Sequence, residues 1–155
     1  MSTTAEVDVR GPRFGAWITT AVLVVTLLVS AFSAPVAAAI LVLQAAVFAI
    51  SALRGPRQSP YGLLYATVVR PHLGPVTERE PVPPLKFAQL VGFAFAGIGV
   101  AGFVSGLILL GEIATAFALI AAFLNAAFGI CLGCQLYPLV TRFRGRTPVS
   151  AGPIR

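Results

Sequence analysis

Four stretches of this chain, residues 14–32, 36–53, 88–110 and 113–140, are apolar almost throughout. A helix of roughly 20 residues crosses the hydrocarbon core of a bilayer, about 30 Å thick, so each stretch is long enough to span one. Composition points the same way. Apolar residues make up 57% of the 155 and charged residues only 10%, with a mean hydropathy of +0.91, whereas a soluble domain carries about 25% charge. The expected fold is an all-α membrane protein: a four-transmembrane-helix bundle forming one domain over residues 14–140, with a short interfacial helix in a long cytoplasmic loop.

The segments between the spans carry the punctuation. Residues 1–13 are polar, and Gly11-Pro12 predicts an extended N-terminal segment there. Arg10 and Arg13 before an apolar run, with Ala31-Phe32-Ser33-Ala34 after it, resemble a secretory signal. The run is long for a signal core, however, and Pro35 and a second apolar stretch follow at once, so an uncleaved first helix is expected. Trp17 suits the headgroup layer. A reversal falls at Ser33-Ala34-Pro35, and Gln44 in the second span needs a partner away from lipid.

Residues 54–87 hold seven prolines, which exclude a continuous spanning helix. Within this loop the apolar stretch 61–69 is too short to span and reads as a helix lying at the interface, ended by Arg70 and Pro71. In the third span Gly92, Ala96, Gly99, Gly102 and Gly106 share one broad stripe, which lets a neighbouring helix approach closely. A second reversal is expected at Gly111-Glu112, and the basic tail 141–155, with Pro148 and Pro153, is expected to be disordered.

All eleven Lys and Arg residues fall before the first span, in the loop 54–87 or in the tail, and neither short reversal contains one. Cytoplasmic segments hold the positive excess, so both termini and the long loop are assigned to the cytoplasmic side of the plasma membrane. The same distribution argues against nucleic acid as the reason for the net charge of +6. Arg-Gly-Pro-Arg occurs at 10–13 and again at 54–57; the two hairpins are otherwise dissimilar, so the strings read as basic anchors at one interface. No span carries an ionisable group at mid-depth, which argues against a pump or coupled transporter.

The one motif able to do chemistry is Cys131-Leu132-Gly133-Cys134. Inside a helix the two thiols would project about 60° apart, on one face near the cytoplasmic surface. The spacing is that of disulfide exchange and of half a metal site. Arg142 and Arg144 follow and favour a thiolate, while a position near a helix C-terminus opposes it. His72 is the single histidine, and a closed metal site would need further ligands from a partner or a second copy. Two small packed thiols without chemistry are a further reading. Glu6 and Asp8 beside Arg10, and Glu78 and Glu80 beside Arg79, read as local charge balance, Glu112 as a solvated turn residue, and Asn125 as an amide bonding across to another helix, away from the cysteine face.

Four blocks carry a resemblance: Val7-Asp8-Val9-Arg10-Gly11-Pro12-Arg13-Phe14; Val69-Arg70-Pro71-His72-Leu73-Gly74-Pro75; Pro83-Pro84-Leu85-Lys86-Phe87-Ala88-Gln89; and Asn125 through Cys131-Leu132-Gly133-Cys134 to Tyr137. They cover nearly the whole chain in order, and the last is the most specific. On these the chain resembles an integral-membrane family common in actinobacteria and known as a domain of unknown function. Val9, His72 and Lys86 depart from its pattern, where proline, arginine and arginine are usual, and the departure weakens His72 as a ligand. The resemblance implies a helical membrane protein with a Cys-Leu-Gly-Cys motif and an association with thioredoxin-like or sulfurtransferase proteins.

Three functions follow as expectations: thiol–disulfide exchange or sulfur handling through Cys131 and Cys134, serving a cytoplasmic partner; a non-enzymatic membrane subunit docking a partner through the proline-rich loop; and a thiolate metal site completed by oligomerisation. The residues identify no cofactor.

Overall fold

The computed structural model describes residues 5–145. Four helices in it are long and apolar enough to cross a membrane: α1 (Arg10–Ser30), α2 (Ala34–Arg54), α4 (Val82–Ser105) and α5 (Ile108–Phe128). Between α2 and α4 lies α3 (Pro60–Leu64), continued by a π turn over Tyr65–Val69 and a 3-10 turn over Arg70–His72. Two three-residue strands, β1 (Glu6–Asp8) and β2 (Arg79–Pro81), pair antiparallel, and the chain closes with α6 (Leu132–Phe143). The protein is thus a multi-pass, four-helix membrane protein, with the expected short helix in the long loop.

The bundle is a closed ring in which α1 packs on α2 and α5, and α4 packs on the same two. Its interior is built from Leu23, Leu41, Phe48 and Phe103 among alanines 37, 38, 96 and 118. Many of the other large apolar side chains point outward: Leu28, Leu43, Val104 and Phe117 are all exposed. Small residues inside and large apolar ones outside suit a bundle solvated by lipid, where close backbone approach rather than water exclusion holds helices together. Glycines make that approach: a Cβ built on Gly99 would lie 2.6 Å from Leu41 Cδ2, and one on Gly102 would lie 2.5 Å from the Gly111 nitrogen.

Several polar groups within the spans find partners inside the protein. Thr20, Thr26 and Thr115 each donate to the carbonyl four residues back, at 2.7–2.8 Å. Gln44 is fully buried; its Nε2 donates to Thr19 Oγ1 at 3.3 Å and its Oε1 accepts from the Tyr61 hydroxyl at 2.7 Å. It therefore ties α2 to α1 and to the loop helix, as an amide in hydrocarbon requires.

Several boundaries differ from the sequence reading, and each has a local cause. The N-terminal segment is not extended to residue 13, because α1 begins at Arg10. Pro12 falls in the first turn, where the missing N–H costs nothing. In the same way Pro83 and Pro84 open α4 at Val82, six residues before the expected start. The second reversal lies at Gly106-Leu107 rather than Gly111-Glu112: Gly106 adopts φ 81°, a left-handed cap that glycine reaches without steric cost. Glu112 consequently sits inside α5, where its carboxylate accepts from Ser30 Oγ at 3.2 Å. Residues 141–143 belong to α6, and the remainder of the expected disordered tail, from 146 on, lies outside the described residues.

The largest difference concerns the last expected span. Residues 113–140 do not form one helix: α5 stops at Phe128, Gly129 turns at φ 70°, and α6 starts afresh at Leu132. The Gly129 N–H donates to the Asn125 carbonyl and the Ile130 N–H to the Leu124 carbonyl, so the last carbonyls of α5 are satisfied by the turn itself.

Candidate functional site

Because α5 ends at Phe128, the cysteines open a helix instead of riding inside one. Cys131 is the N-cap of α6, with φ −90° and ψ 99°. Its Sγ accepts from the Cys134 N–H at 3.3 Å, while its carbonyl takes the Gln135 N–H at 3.1 Å. Cys131 and Cys134 are joined as a disulfide, their Cα atoms 5.2 Å apart. The expectation of a position near a helix C-terminus is thereby reversed. The first turn of a helix carries partial positive charge and unpaired N–H groups, which favour negative charge on a sulfur at the cap. Arg142 and Arg144 take no part, since they lie at the far end of α6, about 15 Å along its axis.

The motif is held from two sides. Gly133 is buried against α4: a Cβ there would come within 2.5 Å of Ala88, so only glycine permits this contact. Farther along α6, Tyr137 packs its ring 5.9 Å from that of Phe87. On the other side the Arg13 guanidinium donates to the Ala126 carbonyl at 3.2 Å and the Ala127 carbonyl at 3.4 Å, capping α5 just before the turn. A cation at a helix C-terminus is favourable, and here it fixes the strut from which the cysteine loop hangs.

Behind the motif a cavity of about 300 Å³ extends into the bundle. Cys131 lines it, with Tyr61, Gln89 and Asn125 among mostly apolar neighbours such as Phe95 and Ala118. Asn125 thus lines the same cavity as Cys131, and among the described residues its side chain makes no hydrogen bond to another helix. Gln89 shares this wall and was legible only as a lone amide at the start of an apolar run.

The remaining residues singled out in the sequence fall elsewhere. His72 is exposed in the 3-10 turn, and among the described residues no three His, Cys, Asp or Glu side chains are grouped for a metal. The Asp8–Arg10 pair is present: Arg10 Nη2 lies 3.0 Å from Asp8 Oδ2, and Oδ2 also accepts from the Tyr65 hydroxyl at 3.0 Å. Burial pushes the Asp8 carboxyl up, but the hydrogen bonds from Arg10 and Tyr65, together with the Arg10 charge, outweigh it and hold the group below the ordinary aspartate value. Sequence adjacency alone showed neither the Tyr65 bond nor the strand pairing beside it.

Together these features define a multi-pass membrane protein with a cysteine pair capping a helix at one end of a four-helix bundle. The chain belongs to the family described as domain of unknown function DUF4395, whose model matches residues 7–142, from the first strand to the last turn of α6. No curated protein and no solved structure matches it.

Proposed function

We propose that this protein is a thiol–disulfide exchange protein of the plasma membrane, working through Cys131 and Cys134 at the cytoplasmic surface. The observation that carries the reading is the cap geometry: the first sulfur of the motif sits on the N-terminus of α6 and accepts the backbone N–H of the second cysteine. In the reduced protein the Cys131 thiolate attacks one sulfur of a partner disulfide, forming a mixed disulfide and releasing the partner's first thiolate. Cys134 then attacks Cys131 Sγ, closing the internal disulfide and releasing the partner's second thiolate. Two electrons pass to the partner and the two protons end on its thiols. A partner dithiol drives the same steps in reverse.

Orientation rests on charge. Arg10, Arg13, Arg54, Arg57, Arg70, Arg79, Lys86, Arg142 and Arg144 lie where α1 and α4 begin, where α2 and α5 end, or in the segments that join and follow them. The reversals 31–33 and 106–107 at the opposite end have no Lys or Arg. That asymmetry supports cytoplasmic termini and a cysteine pair within reach of a cytoplasmic partner; the thioredoxin-like or sulfurtransferase type of that partner rests on the family resemblance alone.

Trapping tests the reading. With Cys134→Ser the second step is blocked, and a reductant-sensitive adduct with the partner accumulates in intact cells; Cys131→Ser, lacking the attacking sulfur, gives none. Equal adduct from both variants contradicts the assigned order of attack. Absence of adduct from both, with wild-type thiols alkylated equally before and after reduction of native membranes, overturns the function.

A further inference from the structure

Arg57, Arg70 and Arg79 come from three separate stretches: the turn after α2, the 3-10 turn after α3, and β2. All three line one open cavity of about 190 Å³ beside the first turn of α1, with Val7, Asp8, Gly11, Tyr65 and Val76 among its other walls. Three exposed arginines lining one small space set like charges near one another, an arrangement that an anion among them would relieve. The wall holds one carboxylate, Asp8, which is already engaged by Arg10 and Tyr65. Arg57 donates to the Glu6 carbonyl at 2.9 Å, which fixes its position without neutralising it. Among the described residues none of the three forms a salt bridge. In strand register Arg79 stands opposite Asp8 and Glu80 opposite Val7, and neither Glu78 nor Glu80 lines the cavity.

We propose that this cavity is an oxyanion-binding site, taking a phosphate-type group on Arg57, Arg70 and Arg79. Guanidinium forks match the paired oxygens of such a group, and hydrogen bonds between two charged partners are the strong ones. At this end of the bundle the group can arrive on a free inorganic anion or as the headgroup of an anionic phospholipid, and the chemistry of recognition is the same for both.

The test uses the full-length protein purified in a neutral detergent, titrated with inorganic phosphate and with sulfate while thermal stability and heat of binding are read. A parallel arm reconstitutes it in nanodiscs of phosphatidylcholine alone or with phosphatidylglycerol, and identifies retained lipid by native mass spectrometry. A rise in melting temperature and measurable heat with the free anions indicates a soluble ligand. No response to them, with selective retention of phosphatidylglycerol, indicates a headgroup. In either case Arg70→Gln/Arg79→Gln weakens binding about tenfold or more, as loss of charged hydrogen bonds requires. Arg70→Lys/Arg79→Lys, which keeps the charge and the fold, weakens it less, and Arg142→Gln/Arg144→Gln leaves it unchanged. Absence of binding in both arms, or binding that the Gln and Lys variants leave as in wild type, overturns the proposal.

Discussion

Asp8 joins the small ribbon to the first transmembrane helix through one carboxylate, which accepts the Arg10 backbone N–H, the Arg10 guanidinium and the Tyr65 hydroxyl. Its acid strength is greater in the folded protein than in the unfolded chain. A depressed carboxyl contributes stability that is fully present above its unfolded value, near 3.9, and is lost as pH falls through the folded one. Amide exchange at Val7–Arg10 is therefore expected to accelerate as pH drops below the ordinary aspartate range, beyond the intrinsic change of exchange chemistry. In Asp8→Asn the same amides should be less protected at neutral pH and should lose that extra acid dependence. Equal protection in the two proteins across the range contradicts the role given to the carboxylate.

The same scale explains what could and could not be read from sequence around the cysteines. Gln44 was legible because an amide in an apolar run has few acceptable surroundings, and the structure supplies them as Thr19 and Tyr61. The break before Cys131 was not legible. Hydropathy runs unchanged through Gly129 and Ile130, and cysteine is not among the residues whose side chains commonly announce an N-cap. Only the pairing of a left-handed glycine with a sulfur cap ends one helix and starts the next, and that pairing is a matter of geometry.

Among the helices, packing depends on where a side chain is missing. Gly102 of α4 faces the Gly111 backbone of α5 at a distance no Cβ tolerates, whereas a Cβ on Gly97 of the same helix meets nothing within 4 Å. Gly102→Ala is expected to push α4 from α5 and destabilise the bundle by about 1–3 kcal/mol. Gly97→Ala, relieved of glycine's backbone entropy, should be neutral or stabilising by up to about 1 kcal/mol. Thermal midpoints in detergent separate them, and equal shifts contradict the packing described. The small-residue stripe was visible in sequence, and the helix that meets it was not, since α4 packs equally naturally on either neighbour until the loops choose. Pro12 at the start of α1 and Pro83-Pro84 at the start of α4 hid both helix starts for a related reason: proline forbids a helix interior but is welcome in the first turn.

For the whole molecule, the four spans were legible because the transfer of about 20 apolar residues from water is a local property that later contacts cannot undo. The pairing of β1 with β2 was hidden, joining three-residue strands some seventy residues apart through a register that no periodicity marks. That ribbon, α3 and α6 gather at the end of the bundle that also carries the described basic residues, and the Cys131–Cys134 pair lies there too. On the function proposed, Cys131 and Cys134 are an exchangeable pair at the cytoplasmic face. The most direct measurement is labelling with a membrane-impermeant thiol reagent in spheroplasts and in inverted vesicles, each before and after mild reduction. Labelling of both cysteines is expected in inverted vesicles only, increased by reduction, with Cys131 modified faster than Cys134. Labelling confined to spheroplasts, or labelling that reduction leaves unchanged, would contradict it.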